Sequence, residues 1–199
     1  KERCTNPDTL SFITELLPSE DKVPLRNTIY TLSCVLLDRS DCDRKLAEKF
    51  KTEYGRTHNF VHKFAQVVLP EEFDLLGTVY QSFLTEGVKN STGSYYTERS
   101  VAQELLDSLE AKPGASFLDP CCGSGTFLIL AQEMGLKICG MDSDPIAVMI
   151  AKANLILSGA KEYPDVRVID FVNRWKSERR RFDFAATNPP CLLYTSPSP

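Results

Sequence analysis

The sequence predicts an α/β protein in which a parallel, doubly wound sheet follows an all-helical subdomain. Three observations predict it. Apolar residues keep helical spacing from Thr9 to about Glu86. Beyond Gly93, short apolar runs alternate with helical ones, the pattern of strands joined by crossover helices. One strand-to-helix passage, DPCCGSGTFL, is rich in glycine, as a loop must be where backbone comes close to a ligand.

In the first region the apolar positions group as Phe12, Leu16 and Leu17, then Ile29, Leu32, Val35 and Leu36, then Phe60, Phe64, Val67 and Val68. Turn signals at Pro18, Asp38 to Asp41, Gly55 and Pro70 divide them into three or four helices. The Asp41 to Lys51 charges read as a solvated helix surface. EEFDLLGTVYQSFLTEG makes the last helix, ended by Gly87. SYYTERSVAQELLDSLEAKPG then reads as a loop and a helix capped by Thr97 or Ser100 and stopped by Pro113 and Gly114. ASFLD, KICGMD, VRVID and FDFAATNPP supply four strands; GTFLILAQEM and PIAVMIAKANLILSG supply two helices, the second with proline in its first turn. The expected units are residues 1–92, helical, and 93–190, the sheet half.

Hydrophobic residues at 42% and charged residues at 25% of 199 place the chain among globular proteins of one or two domains. No run approaches a membrane span and the start KERCTNPD is not a signal peptide, so a cytoplasmic location and no membrane partner are expected. Seven cysteines, two of them adjacent in one loop, suit reduced thiols better than a disulfide framework or a CxxC metal pair. A net charge of −4 excludes the overall basic character of a non-specific nucleic-acid binder, so contact with nucleic acid must be local. The first residue is Lys1, which suggests an N-terminal fragment.

The glycine loop lacks the Gly-Lys-Ser/Thr of a triphosphate site. It also lacks the third small residue of a dinucleotide fingerprint, because bulky Leu128 stands there. Asp142, at the tip of the next strand and roughly 20 residues on, is placed to accept ribose hydroxyls, which points to a nucleoside ligand. At the third tip, Asp170 offers an acceptor for an exocyclic amine and Phe171 a wall for a flat ring.

With TNPP at the fourth tip, the set closely resembles the adenine-specific DNA methyltransferases (N-6 DNA methylases) of restriction-modification systems. GSYYT, DPCCGSGTFL, GMDSDP, IDF and TNPP stand in that family's order, from about Leu76 to Pro190, and LGTVYQSFL resembles the helical lead-in of type IIG-like members. The resemblance implies a Rossmann-like methyltransferase fold binding S-adenosylmethionine, here with the first four strands only. It implies that Tyr96 and Thr97 flank the cofactor's methionine, that Asp119, Pro120, Cys122, Gly123, Ser124 and Gly125 floor its site, and that Asp142 holds the ribose. Asp170 and Phe171 would contact its adenine, and Asn188, Pro189 and Pro190 would face the target base. No metal is implied. The expected substrate is double-stranded DNA with a flipped adenine, and restriction or specificity domains would lie outside this chain.

Asn-Pro-Pro suits this chemistry. The 6-amino group of adenine is a poor nucleophile because its lone pair is delocalised into the ring. The Asn188 side-chain oxygen and the Pro189 carbonyl can take its two hydrogens, while the prolines stiffen the loop and hold Asn188 extended. A protein glutamine or an RNA base is the rival substrate, and a non-enzymatic binding scaffold is the other rival. The family places an aromatic residue after NPP to stack on the flipped base, whereas this chain has Cys191. CLLYTSPSP, Cys191 to Pro199, resembles a translated sequencing adaptor, so residues 191–199 are expected to be a non-native tail and the 199-residue fragment to be inactive by itself.

Of the remaining features, His58 and His62 have the spacing of a metal pair but no third ligand. Lys176, Arg179, Arg180 and Arg181 read as a solvated basic face rather than a phosphate contact, and Trp175 as packing.

Overall fold

The structure is a computed structural model that describes residues 15, 17, 23–64, 74–84, 97–171 and 180–189. Expectations for Phe12, Leu16, Val67, Val68, Gly87, Trp175, Lys176, Arg179 and the 191–199 tail lie outside the described residues.

Helix α1 spans Leu25–Arg39 and buries nearly every face; its inward Thr31 and Ser33 hydroxyls donate to the carbonyls of Asn27 and Ile29, both at 2.8 Å. Helix α2, Arg44–Tyr54, begins where Asp43 accepts the Lys45 amide at 2.8 Å and stops at Gly55, whose φ is 115°. Only Ala47 and Phe50 of α2 are buried, so its charges do form a solvated surface. A 3-10 helix, Asn59–Phe64, follows. His58 lies outside it, so the two histidines share no α-helix face; among the described residues no group of three metal-ligating side chains comes together.

Helix α3, Leu75–Phe83, is capped by Asp74, and helix α4 spans Arg99–Asp107. Neither Thr97 nor Ser100 caps α4. Glu98 holds the cap position without a side-chain bond. The helix also ends well before Pro113, because Leu109 and Glu110 tighten into i−3 bonds and Glu110 turns the chain at φ 49°.

The sheet follows the predicted alternation: β1 Ser116–Asp119, α5 Thr126–Glu133, β2 Lys137–Asp142, α6 Pro145–Leu157, β3 Val166–Val168 and β4 Phe184–Ala185. Among the described residues the strand order is β3-β2-β1-β4, all parallel. Asp183 fixes β4 beside β1 by accepting both the amide and the hydroxyl of Ser116, at 2.8 and 2.7 Å. Helices α4, α5 and α6 cover one face around Phe117, Leu128 and Leu155. Leu118, Cys139 and Met141 point to the other, where Ile169, Phe171 and Phe182 pack.

Helix α6 is buried from Ala147 through Ile156. Val148, Ala151 and Leu155 face α5 and the sheet, while Met149, Ile150, Ala153 and Ile156 join the core of the N-terminal helices. Lys152 reinforces that seam with an ion pair to Glu53 at 2.6 Å, and Tyr163 donates to the same carboxylate. Among the described residues no helix is long and apolar enough to cross a membrane.

Candidate active site

A parallel sheet sends all its strand ends to one edge, and the four here lie side by side. Asp119 closes β1 and is only 1% exposed. The chain then crosses onto β2: the Cys121 amide donates back to Asp119 at 3.2 Å, and the Cys122 amide donates to the Met141 carbonyl at 2.8 Å. Gly123 follows at φ 53°, and its amide donates to Asp142 Oδ2 at 2.8 Å. Gly125, at φ 96°, begins α5, where the added Cβ of any other residue would sit 3.3 Å from that of Ala151. These two positive φ angles and the tight helix contact are why the turn needs glycine.

Asp142 ends β2 with both carboxylate oxygens occupied, Oδ2 by Gly123 and Oδ1 by the Asp144 amide at 2.9 Å. The Ile169 amide donates to the Asp142 carbonyl at 2.8 Å, which brings Asp170 and Phe171 to the neighbouring tip. Asp170 is exposed, and Phe171 is half-buried against the Leu118, Cys139 and Met141 face. On the other side the Ala186 amide donates to Leu118 at 3.2 Å. Thr187 Oγ1 is buried beside the Asp119 carboxyl and the Cys121 thiol.

The Asp142, Asp119 and Asp170 carboxyls and Thr187 all lie near enough to Cys121 to act on its thiol, so the ends of the first three strands and the start of the TNPP loop meet around that residue. Asn188 and Pro189, which follow Thr187 in the chain, are exposed, and the Asn188 amide has no hydrogen-bond partner among the described residues. Pro120 is half-buried between Asp119 and the cysteines. Thr97 is half-buried just before α4 and makes no hydrogen bond to this group among the described residues. Tyr96 and Pro190 lie outside the described residues.

Burial pushes the Asp119 carboxyl up to about 7 and also raises Asp142, whose amide donors oppose the rise. Burial raises the Cys121 and Cys122 thiols too, so both stay neutral. The edge is thus lined by acceptors, and the Gly123 amide that a phosphate-binding turn would offer is already taken by Asp142. Such a site favours hydroxyl donors and positive charge over phosphate.

Sequence reasoning missed a second layer. Asp74, 3% exposed, accepts from the Gly77 amide and the Asn154 side chain, both at 2.7 Å, and from the Ser124 hydroxyl. Asn154 also donates to the Ser124 carbonyl at 3.0 Å. From the same helix as Gly77, Tyr80 donates to Asp144 Oδ2 at 2.6 Å. The one available signal was an aspartate standing immediately before an apolar helical run, where an N-cap belongs. The basic cluster needs a correction in part: Arg181 is exposed, but Arg180 turns inward, pairing with Asp165 at 2.9 Å and lying over Phe182.

The chain is 36% identical over 145 residues to the type I restriction enzyme MjaIX methylase subunit of Methanocaldococcus jannaschii, covering 65% of this chain and 25% of that protein. It is 35% identical over 120 residues to the type II methyltransferase M.VspI of Vibrio sp. (strain 343), covering 58% and 29%. The chain thus spans about a quarter of the length of the curated relatives it matches. A structure described as a type I restriction-enzyme modification subunit from Vibrio vulnificus YJ016 shares the fold, with a TM-score of 0.54 and 22% identity over 77% of this chain and 37% of that one. The model of the N-6 DNA methylase family matches residues 71–193, which hold every one of the four strand tips, and the chain belongs to that family.

Proposed function

We propose that this chain carries the S-adenosylmethionine site and the amine-positioning loop of a methyltransferase that modifies the 6-amino group of adenine in DNA. The observation that carries the reading is the Gly123 to Asp142 hydrogen bond, 2.8 Å long, with Thr187 packed against Asp119 beside it. It joins the glycine turn to the β2 tip, while the TNPP loop leaves β4 on the far side of β1.

The residues fit the cofactor. No described residue comes within 4 Å of a Cβ placed on Gly123, so among the described residues the turn leaves room for a ligand on that side. The Asp142 carboxylate keeps lone pairs for two ribose hydroxyls beyond the two amides it already accepts. Asp170 would accept the cofactor's exocyclic amine and Phe171 would flank its ring. Pro120, Cys122, Ser124 and Gly125 would form the floor, with Tyr96 and Thr97 at the methionine end. The Asp142 and Asp170 carboxylates supply a field that favours a cation. When bound, S-adenosylmethionine supplies an electrophilic methyl on a sulfonium.

Toward the substrate, the Asn188 Oδ1 and the Pro189 carbonyl accept the two amine hydrogens and turn the nitrogen lone pair out of the ring. Pro190 would stiffen the chain at that carbonyl. This is catalysis by orientation and pre-placed acceptors, and it needs no strong base. DNA as the substrate, an adenine flipped from the duplex, and companion restriction or specificity subunits are parts of the same proposal. The restriction and modification names of the relatives favour DNA over a protein glutamine or RNA.

The test is transfer of tritiated methyl from S-adenosylmethionine to duplex DNA by an enzyme carrying this chain, followed by digestion to nucleosides. Label in N6-methyladenine is expected; label confined to protein, RNA or cytosine overturns the reading.

A further inference from the structure

Helix α3 lies outside the sheet and contributes none of the residues assigned to the cofactor, yet it reaches the site from both of its ends. At its start, the Asp74 carboxylate is buried and fully engaged: Oδ1 takes the Gly77 amide and the Asn154 side chain, and Oδ2 takes the Ser124 hydroxyl. A buried carboxylate without donors is costly, so this set has one low-energy arrangement. Ser124 is therefore gripped twice, at its hydroxyl by Asp74 and at its carbonyl by Asn154, 3.0 Å away. The helix is shaped for that grip. A Cβ on Gly77 would fall 2.3 Å from Asp74 Oδ2, so only glycine lets the carboxylate fold back over the first turn.

Near its other end, Tyr80 donates to Asp144 Oδ2 at 2.6 Å. Asp144 uses its second oxygen to cap α6 through the Ile146 amide at 2.8 Å, and its own amide donates to Asp142 Oδ1 at 2.9 Å. Burial and the carboxylate beside it raise Tyr80, so the phenol remains a donor across the physiological range.

We infer that α3 is a positioning element for the cofactor: Asp74 sets the glycine turn through Ser124, and Tyr80 sets the ribose acceptor Asp142 through Asp144. Asp74 and Tyr80 are positioning residues that act through others. The inference rests on the proposed function for the identity of the ligand, but the mechanical linkage exists in the ligand-free chain and is testable there.

The decisive variant is Tyr80→Phe, which removes one hydroxyl and leaves the ring; Asp74→Asn, which keeps a helix cap, is its companion. Two measurements are made on each: affinity for S-adenosylhomocysteine by calorimetry, and amide hydrogen exchange at Gly123 and Asp144 without ligand. Losing one hydrogen bond to a charged acceptor predicts roughly tenfold weaker binding and faster exchange at both amides, with the chain still folded and its melting temperature lowered by only several degrees. Unchanged affinity and unchanged exchange overturn the inference, as does a loss of affinity that only tracks a fall in melting temperature. Should the unaltered chain bind no S-adenosylhomocysteine, the cofactor assignment fails by itself. The exchange comparison then decides: acceleration upholds the linkage and its absence overturns it.

Discussion

Leu128 of α5 lies directly over the bare Cα of Gly140 in β2. A Cβ built on Gly140 would sit 2.5 Å from Leu128 Cδ1, 3.1 Å from Val166 Cγ1 and 3.3 Å from Cys122 Sγ. All three neighbours are buried, so none can swing out of the way. Gly140→Ala therefore overpacks the core beneath the glycine turn and costs about 1–3 kcal/mol in chemical denaturation. Combining it with Leu128→Val returns part of that loss, and a fully additive double variant would contradict the contact.

Asp119 predicts a pH dependence of stability. Its folded value, about 7, lies above its ordinary value of 3.8 because burial disfavours the charged form. The stability it confers is complete below pH 4 and is lost as pH rises toward and through 7. Asp119→Asn, which cannot ionise, should melt several degrees above the unaltered chain at pH 8 and show no such advantage at pH 4. The reverse order would mean that the charged carboxylate is stabilised in place.

If Asn188 faces the target amine and Asp142 the cofactor's ribose, as proposed, their variants separate catalysis from cofactor binding. Asn188→Ala removes an acceptor for the target amine, so transfer falls by two orders of magnitude or more while S-adenosylhomocysteine affinity stays within about twofold. Asp142→Ala removes the ribose acceptor and the Gly123 partner together, so the affinity itself falls. Equal loss of affinity in the two variants would move Asn188 into the cofactor site.

The Lys152 to Glu53 pair should respond asymmetrically. Lys152 is almost fully buried, whereas Glu53 is 38% exposed at the side chain. Glu53→Ala strands a buried ammonium and costs about 1–2 kcal/mol; Lys152→Met leaves a partly solvated carboxylate and an apolar filler, and costs less. Despite the opposing effect of burial, the Lys152 and Tyr163 bonds hold Glu53 below its usual value. Its contribution is present at neutral pH and fades as pH falls through that lowered value.

Much of the sheet half was legible because each strand tip is punctuated by a residue type with a local mechanical reason: glycine for positive φ, proline at the start of α6, aspartate where amides converge. Leu128 shows the limit of that reading. Its bulk counted against a close helix-to-strand contact, yet the room comes from Gly140 in the strand, a residue no helix pattern points to. Asp74, Tyr80 and Asn154 were out of reach for a similar reason. Their bonds join residues 50 to 80 positions apart, and local periodicity carries no record of such pairs. Arg180 looked solvated because its partner Asp165 belongs to another strand connection.

Helix α6 has almost no outside: the sheet half claims one side of it and the N-terminal helices claim the other through Met149, Ile150, Ala153 and Ile156. Two modules that share a wall cannot be traded separately. Recombination between family members just ahead of the glycine turn would graft a foreign helical partner onto these four side chains, and it would succeed only where the incoming surface already matches their relief.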